Sequence, residues 1–103
     1  MRTVFCSCSP EEAGALARQL VEDRLIACAN IIPGLTSIYR WDGAIQEDQE
    51  TLLVMKTRAE RIPALTERIR ELHSYDVPEV IALPLAENEG NPDYLRWLVE
   101  QTT

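Results

Sequence analysis

The alternation of apolar and polar positions divides the chain into seven segments. Thr3-Val4-Phe5-Cys6-Ser7-Cys8 predicts a short strand. Ser9-Pro10-Glu11-Glu12 is a helix-start signal: Ser9 can cap, Pro10 suits the first helical position, and Glu12 completes a capping box. Ala13, Leu16, Ala17, Leu20 and Val21 then repeat at the spacing of a helix with one buried face, which Gly14 weakens locally. From Ile26 to Trp41 the composition turns to β-branched and aromatic residues, with Pro33-Gly34 marking a bend or bulge. Asp42-Gly43 predicts a two-residue hairpin turn that sets Trp41 opposite Ala44, Arg40 opposite Ile45 and Tyr39 opposite Gln46. The return strand runs to about Thr57, and Thr51-Leu52-Leu53-Val54-Met55 reads as a central strand covered on both faces. Ile62, Leu65, Ile69 and Leu72 predict a helix over residues 61–72, with Pro63 near its start. Val80-Ile81-Ala82-Leu83-Pro84-Leu85 predicts a last strand. Asn91-Pro92 opens a final helix, with Tyr94, Leu95, Leu98 and Trp97 on its expected buried side.

The order β-α-β-β-α-β plus a C-terminal helix predicts an α+β fold: a ferredoxin-like sandwich, four antiparallel strands under two helices, in a single domain spanning residues 1–103. The strands are apolar on both sides, yet the one remaining helix is too short to cover the open face. A second copy of the chain is the simplest cover. Segment 35–50 stands apart. Its return side carries Gln46, Glu47, Asp48, Gln49 and Glu50 in a row, so alternation is lost there and the stretch reads as a bulge, an edge or an exposed arm, while the outgoing side presents Ile38, Tyr39 and Trp41. Two readings follow: the aromatic tip packs on a neighbouring subunit, or Trp41 folds back on its own sheet.

Composition narrows the partners. With 17 acidic against 10 basic residues the formal net charge is −7, the wrong sign for binding nucleic acid or an anionic membrane. Charged residues at 26% and apolar residues at 46% fit an ordinary folded domain. No apolar run approaches a membrane span, and the first residues resemble no secretory signal. Three cysteines, an odd number, cannot close into internal disulfides, which points to a reduced cytoplasmic protein.

Few residues carry obvious chemistry. His73 is the one histidine, so any imidazole ligand or base is this residue; a histidine favoured by a helix C-terminus is the plainer reading. Cys6 and Cys8 share a strand face about 7 Å apart and could offer soft ligands to copper or zinc, though two sulfurs are an incomplete site and free cysteine is mostly a small buried hydrophobe. Cys28 reads as core. Glu47, Asp48 and Glu50 offer hard oxygen ligands, or simply solvate the arm. No phosphate loop, nucleophile elbow or zinc-protease motif is present.

The run Ala27-Cys28-Ala29-Asn30-Ile31-Ile32-Pro33-Gly34-Leu35-Thr36-Ser37-Ile38-Tyr39-Arg40-Trp41-Asp42-Gly43 closely resembles the CutA divalent-cation tolerance family. Glu50, Lys56-Thr57, Leu72-His73-Ser74-Tyr75, Pro78-Glu79 and Asp93-Tyr94-Leu95 with Trp97-Leu98 extend the resemblance over nearly the whole chain. It implies a PII-like homotrimer in which the long hairpin reaches the adjacent subunit, with Tyr39, Trp41 and Trp97 as trimer contacts. It also implies a cytoplasmic, non-catalytic protein linked to tolerance of copper and other divalent cations. The metal would fall to His73 with Cys8 or Cys6, since some members ligate through a cysteine near the end of the first strand. Trp41, Lys56, Tyr75 and Glu79 would line a pocket between subunits. Two positions depart from the family pattern: Ala44 stands where a lysine is usual, and Ser74 where His-Pro-Tyr is common, which should loosen the backbone. The alternative is a PII-like signalling or scaffold trimer whose cleft takes a small anion or a partner protein.

Overall fold

The computed structural model describes residues 1–103. Strands β1 (Arg2–Cys8), β2 (Cys28–Trp41), β3 (Ala44–Thr57) and β4 (Ile81–Pro84) form one antiparallel sheet in the order β2-β3-β1-β4. Helix α1 (Ala13–Glu22) joins β1 to β2. Helix α2 (Ile62–Leu72), entered through a 3₁₀ turn at Ala59–Arg61, joins β3 to β4, and α3 (Pro92–Gln101) follows. This is the ferredoxin-like arrangement the element order predicts.

The core follows from the period of two along the central strands. Val4 pairs with Met55, Cys6 with Leu53 and Cys8 with Thr51, and all six are buried. Leu16 and Leu20 of α1 and Leu65 and Ile69 of α2 close over that face. The intervening residues of β3, Leu52 and Val54, face the other way and are half-buried.

Local differences from expectation have local causes. Helix α1 begins at Ala13 rather than at Pro10: the Ser9 hydroxyl donates to Glu12 Oε2 at 2.7 Å and caps no backbone N–H, so residues 10–12 form a turn in which only the Glu12 half of the capping box is made, with Ser9 N–H donating to Glu12 Oε2 at 3.1 Å. Helix α3 starts as expected, Asn91 Oδ1 accepting the Asp93 N–H at 3.0 Å. Strand β2 begins at Cys28 instead of Ile26, and β4 is trimmed to four residues.

The apolar stripes are right in direction but overestimate burial. Val21, Leu72, Tyr94 and Trp97, all expected inside, are exposed. Val21 and Leu72 stand in the last turns of α1 and α2. Helix α3 reaches only the end of the open sheet face: Leu98 is its one buried residue, and the Tyr94 hydroxyl lies 3.6 Å from Cys28 Sγ. Its C-terminus is pinned by Arg58 Nε and Arg61 Nε, which donate to Thr102 Oγ1 and its carbonyl at 2.9 and 2.7 Å. Ile81 and Leu83, opposite Phe5 and Thr3, remain exposed on the open face.

The hairpin of β2 and β3 projects beyond the helices and gives the subunit dimensions of 45 × 25 × 22 Å. Asp42 (φ 51°) and Gly43 (φ 76°) both take positive φ, so the tip is the expected two-residue turn, with Trp41 opposite Ala44. Pairing stays regular through the polar run, so residues 46–50 are neither a bulge nor unpaired. The bulge lies at Pro33-Gly34, between the pairs Ile32–Leu52 and Leu35–Glu50. Gly34 takes φ 80° there. That extra residue reverses the parity of β2, placing Leu35, Ser37, Tyr39 and Trp41 on the open face beside Asp48 and Glu50. No helix is long and apolar enough to cross a membrane.

Candidate functional site

A cleft of about 920 Å³ opens where the arm leaves the sheet. One wall is the open face of the hairpin, including Tyr39, Trp41, Asp48 and Glu50; the other is the loop after α2, including Tyr75, Asp76 and Glu79. Ser7 and Leu52 close its floor.

Polar contacts tie the two walls together. The Tyr75 hydroxyl donates to Glu50 Oε2 at 2.7 Å, across 25 residues of sequence. Burial, then this bond to the Glu50 carboxylate, pushes the Tyr75 phenol well above its usual range, so it stays a donor. On the arm, the Tyr39 hydroxyl donates to Asp48, which likewise raises the phenol.

His73 sets the loop. It ends α2 by turning extended (ψ 143°), and its side chain is fully enclosed. Nδ1 accepts the Tyr75 N–H at 3.0 Å, which leaves the proton on Nε2 to donate to the Ser7 carbonyl at 2.9 Å. Both nitrogens of a neutral ring are thereby engaged. The imidazole also packs against the Tyr75 ring with centroids 4.5 Å apart.

Glu12 completes the support. Its carboxylate accepts from Ser9 N–H and Oγ and from Ser74 N–H and Oγ, the hydroxyl contacts at 2.7 and 2.6 Å. Partial burial opposes ionisation, but the bonds from Ser74 and Ser9 prevail and hold the carboxyl down at about 2. Ser74 therefore fastens the loop to α1 instead of loosening it.

The expected metal donors are not gathered into a ready site within one subunit. Cys6 and Cys8 are fully buried on the helix side of the sheet, with Sγ 3.7 Å from the Ser7 and Thr51 carbonyls respectively. Burial, reinforced by nearby carboxylates, raises the thiols to about 12 and about 11, whereas binding a metal requires thiolates. No three His, Cys, Asp or Glu side chains converge on one point. Of the expected pocket residues, Trp41, Tyr75 and Glu79 line the cleft, while Lys56 stands away from it, its Nζ donating to Asn30 Oδ1 at 2.6 Å. Tyr39, Trp41 and Trp97 all present exposed surface, and Trp41 (53% exposed) does not fold back beneath its own sheet. Sequence reasoning missed the Glu12–Ser74 contact and Asp76. The capping-box pattern marked Glu12, but no local signal joins it to a loop across the fold.

The family model for the CutA1 divalent ion tolerance protein matches residues 2–101. The divalent-cation tolerance protein CutA of Thermus thermophilus is 57% identical over 94 residues, covering 91% of this chain and 89% of the relative. Protein CutA of Mus musculus is 50% identical over 99 residues, but this chain spans only 55% of that relative's length. Among solved structures, the PII-like protein CutA from Nostoc superposes with a TM-score of 0.93 at 33% identity, covering 100% of this chain and 98% of that one. Fold and sequence thus agree along the whole chain, which belongs to the CutA1 divalent ion tolerance family.

Proposed function

We propose that this chain works as a homotrimer, without catalysis, that takes up copper or other divalent cations at the acidic clefts beside its arms. One observation carries the reading: the cleft gathers Asp48, Glu50, Asp76 and Glu79, and no lysine or arginine lines it. Oxygen donors of this kind suit exchangeable divalent ions. Because one subunit brings no three donors together, the coordination set is completed across subunits. The trimer is supported by the uncovered apolar surface of the open sheet face, Ile32, Ile81 and Leu83, and of the arm, Ile38 and Ile45. Three free cysteines favour a reducing compartment such as the cytoplasm.

Native mass spectrometry during copper titration tests this directly. The expected species is three chains of 11.7 kDa each, loading metal that is lost in the double variant Glu50→Gln, Glu79→Gln. Retained metal in that variant, but loss on replacing His73, Cys6 and Cys8 together, would move the metal to the buried donors. The alternative, a PII-like sensor that holds a small ligand or partner protein in the same cleft, is favoured by the aromatic side chains there, which metal uptake alone does not use.

A further inference from the structure

We propose that the cleft at the root of the arm is a receptor for an organic ammonium ion, the positively charged head of an alkylated amine. This deepens the cation-uptake reading of the same cleft and rests on the cleft remaining open in the assembled protein.

Charge comes first. Four carboxylates and no basic side chain line the space, so an anionic metabolite would meet repulsion at every wall. Glu50 is the anchor: it is only 6% exposed, its Oε2 accepts the Tyr75 hydroxyl at 2.7 Å, and its other oxygen receives no hydrogen bond within the chain. No buried side-chain oxygen of the chain is left without a partner, so this second oxygen is reachable from solvent, and a carboxylate otherwise so enclosed favours a cation that brings its charge without demanding a full shell of water.

The aromatic rings decide the kind of cation. Tyr39, Trp41 and Tyr75 line the same space as the acids. A metal ion needs converging lone pairs, which a single subunit does not supply as a set of three, so metal uptake alone leaves the rings unused. Ring faces instead attract a cation whose charge is spread over alkyl groups. The rings are also held. Tyr75 packs on the enclosed His73 ring at 4.5 Å and is tied to Glu50, and Tyr39 is tied to Asp48. Fixed rings lose little freedom on binding. The volume, about 920 Å³, matches an organic molecule better than a single ion.

The test is a calorimetric and fluorescence titration of the full-length assembled protein with tetramethylammonium chloride, using Trp97→Phe so that Trp41 alone reports. Sodium chloride, sodium phosphate and copper are titrated in parallel. Tetramethylammonium is expected to bind saturably and perturb Trp41 emission. Glu50→Gln and Tyr75→Leu should each weaken it by roughly tenfold. If Glu50→Gln does not fold, Glu79→Gln on the exposed loop is read instead, with several-fold weakening expected. Saturable copper uptake without tetramethylammonium binding would overturn this inference and leave the cation-uptake reading intact; binding of neither would overturn both. Tetramethylammonium binding unaffected by these variants, or phosphate binding at the Trp41 reporter, would likewise overturn it.

Discussion

Ser74 and Glu12 lie 62 residues apart and are joined twice: Ser74 Oγ donates to Glu12 Oε2 at 2.6 Å, and the Ser74 N–H donates to Oε1 at 3.0 Å. The same carboxylate accepts both donors of Ser9. One ionised side chain thus fixes the turn before α1 to the loop that forms a wall of the cleft, next to the enclosed His73.

Replacing Glu12 with glutamine should lower stability by about 2 kcal/mol, because charge-assisted bonds become weaker neutral ones. The pH response follows from the depressed carboxyl. Its folded value lies at about 2 against an ordinary 4.5, so its stabilisation is complete above about 4.5 and is lost as pH falls toward 2. Urea unfolding between pH 6 and pH 2.5 should show this extra acid loss in the parent chain and a flatter profile in Glu12→Gln. Parallel profiles would refute the contribution.

Cys6 and Cys8 should resist thiol reagents at pH 8 in the native protein. Burial keeps them protonated, with values raised to about 12 and about 11, and thiolate is the reactive form. Mass spectrometry after labelling should find both unmodified until denaturant is added. Rapid labelling of either under native conditions would contradict the buried placement.

Leu53→Ala should cost about 3 kcal/mol, the usual range for truncating a fully enclosed leucine. Leu53 sits on the central strand opposite Cys6, with no exposed surface. Chemical denaturation measures this, and a cost under about 1 kcal/mol would mean the site collapses around the smaller side chain.

Inserting one alanine between Leu35 and Thr36 should separate the fold from the site. If pairing is kept up to Leu35–Glu50, the parity of the arm beyond it reverses, and Ile38 and Arg40 replace Tyr39 and Trp41 on the cleft side. The helix-covered core lies outside the insertion, so circular dichroism should keep the native signature, while the oligomer mass by light scattering should fall. An insertion variant with unchanged mass and an unchanged Trp41 environment would show that the arm repairs its register elsewhere.

Whatever depends on neighbours in the chain can be read from the order of residues alone. The strand and helix order, the Asp42-Gly43 tip with Trp41 opposite Ala44, the irregularity at Pro33-Gly34, the Asn91 cap and the core stripe of Leu16, Leu20, Leu65 and Ile69 all rest on local periodicity and turn chemistry. Periodicity also shows which way a side chain points, but not whether anything stands opposite it. Periodicity therefore places Val21, Leu72, Tyr94 and Trp97 on inward faces, although the subunit leaves them open. The rest was decided by contacts between distant segments: Glu50 with Tyr75, Glu12 with Ser74, and His73 between the Tyr75 N–H and the Ser7 carbonyl. These pairings are set by how the helices pack on the sheet, and no spacing along the chain encodes them. The bulge joins the two levels. Its residues are visible in the sequence, but only pairing with β3 turns one extra residue into a change of face for Tyr39 and Trp41, and so into a cleft where aromatic rings meet carboxylates.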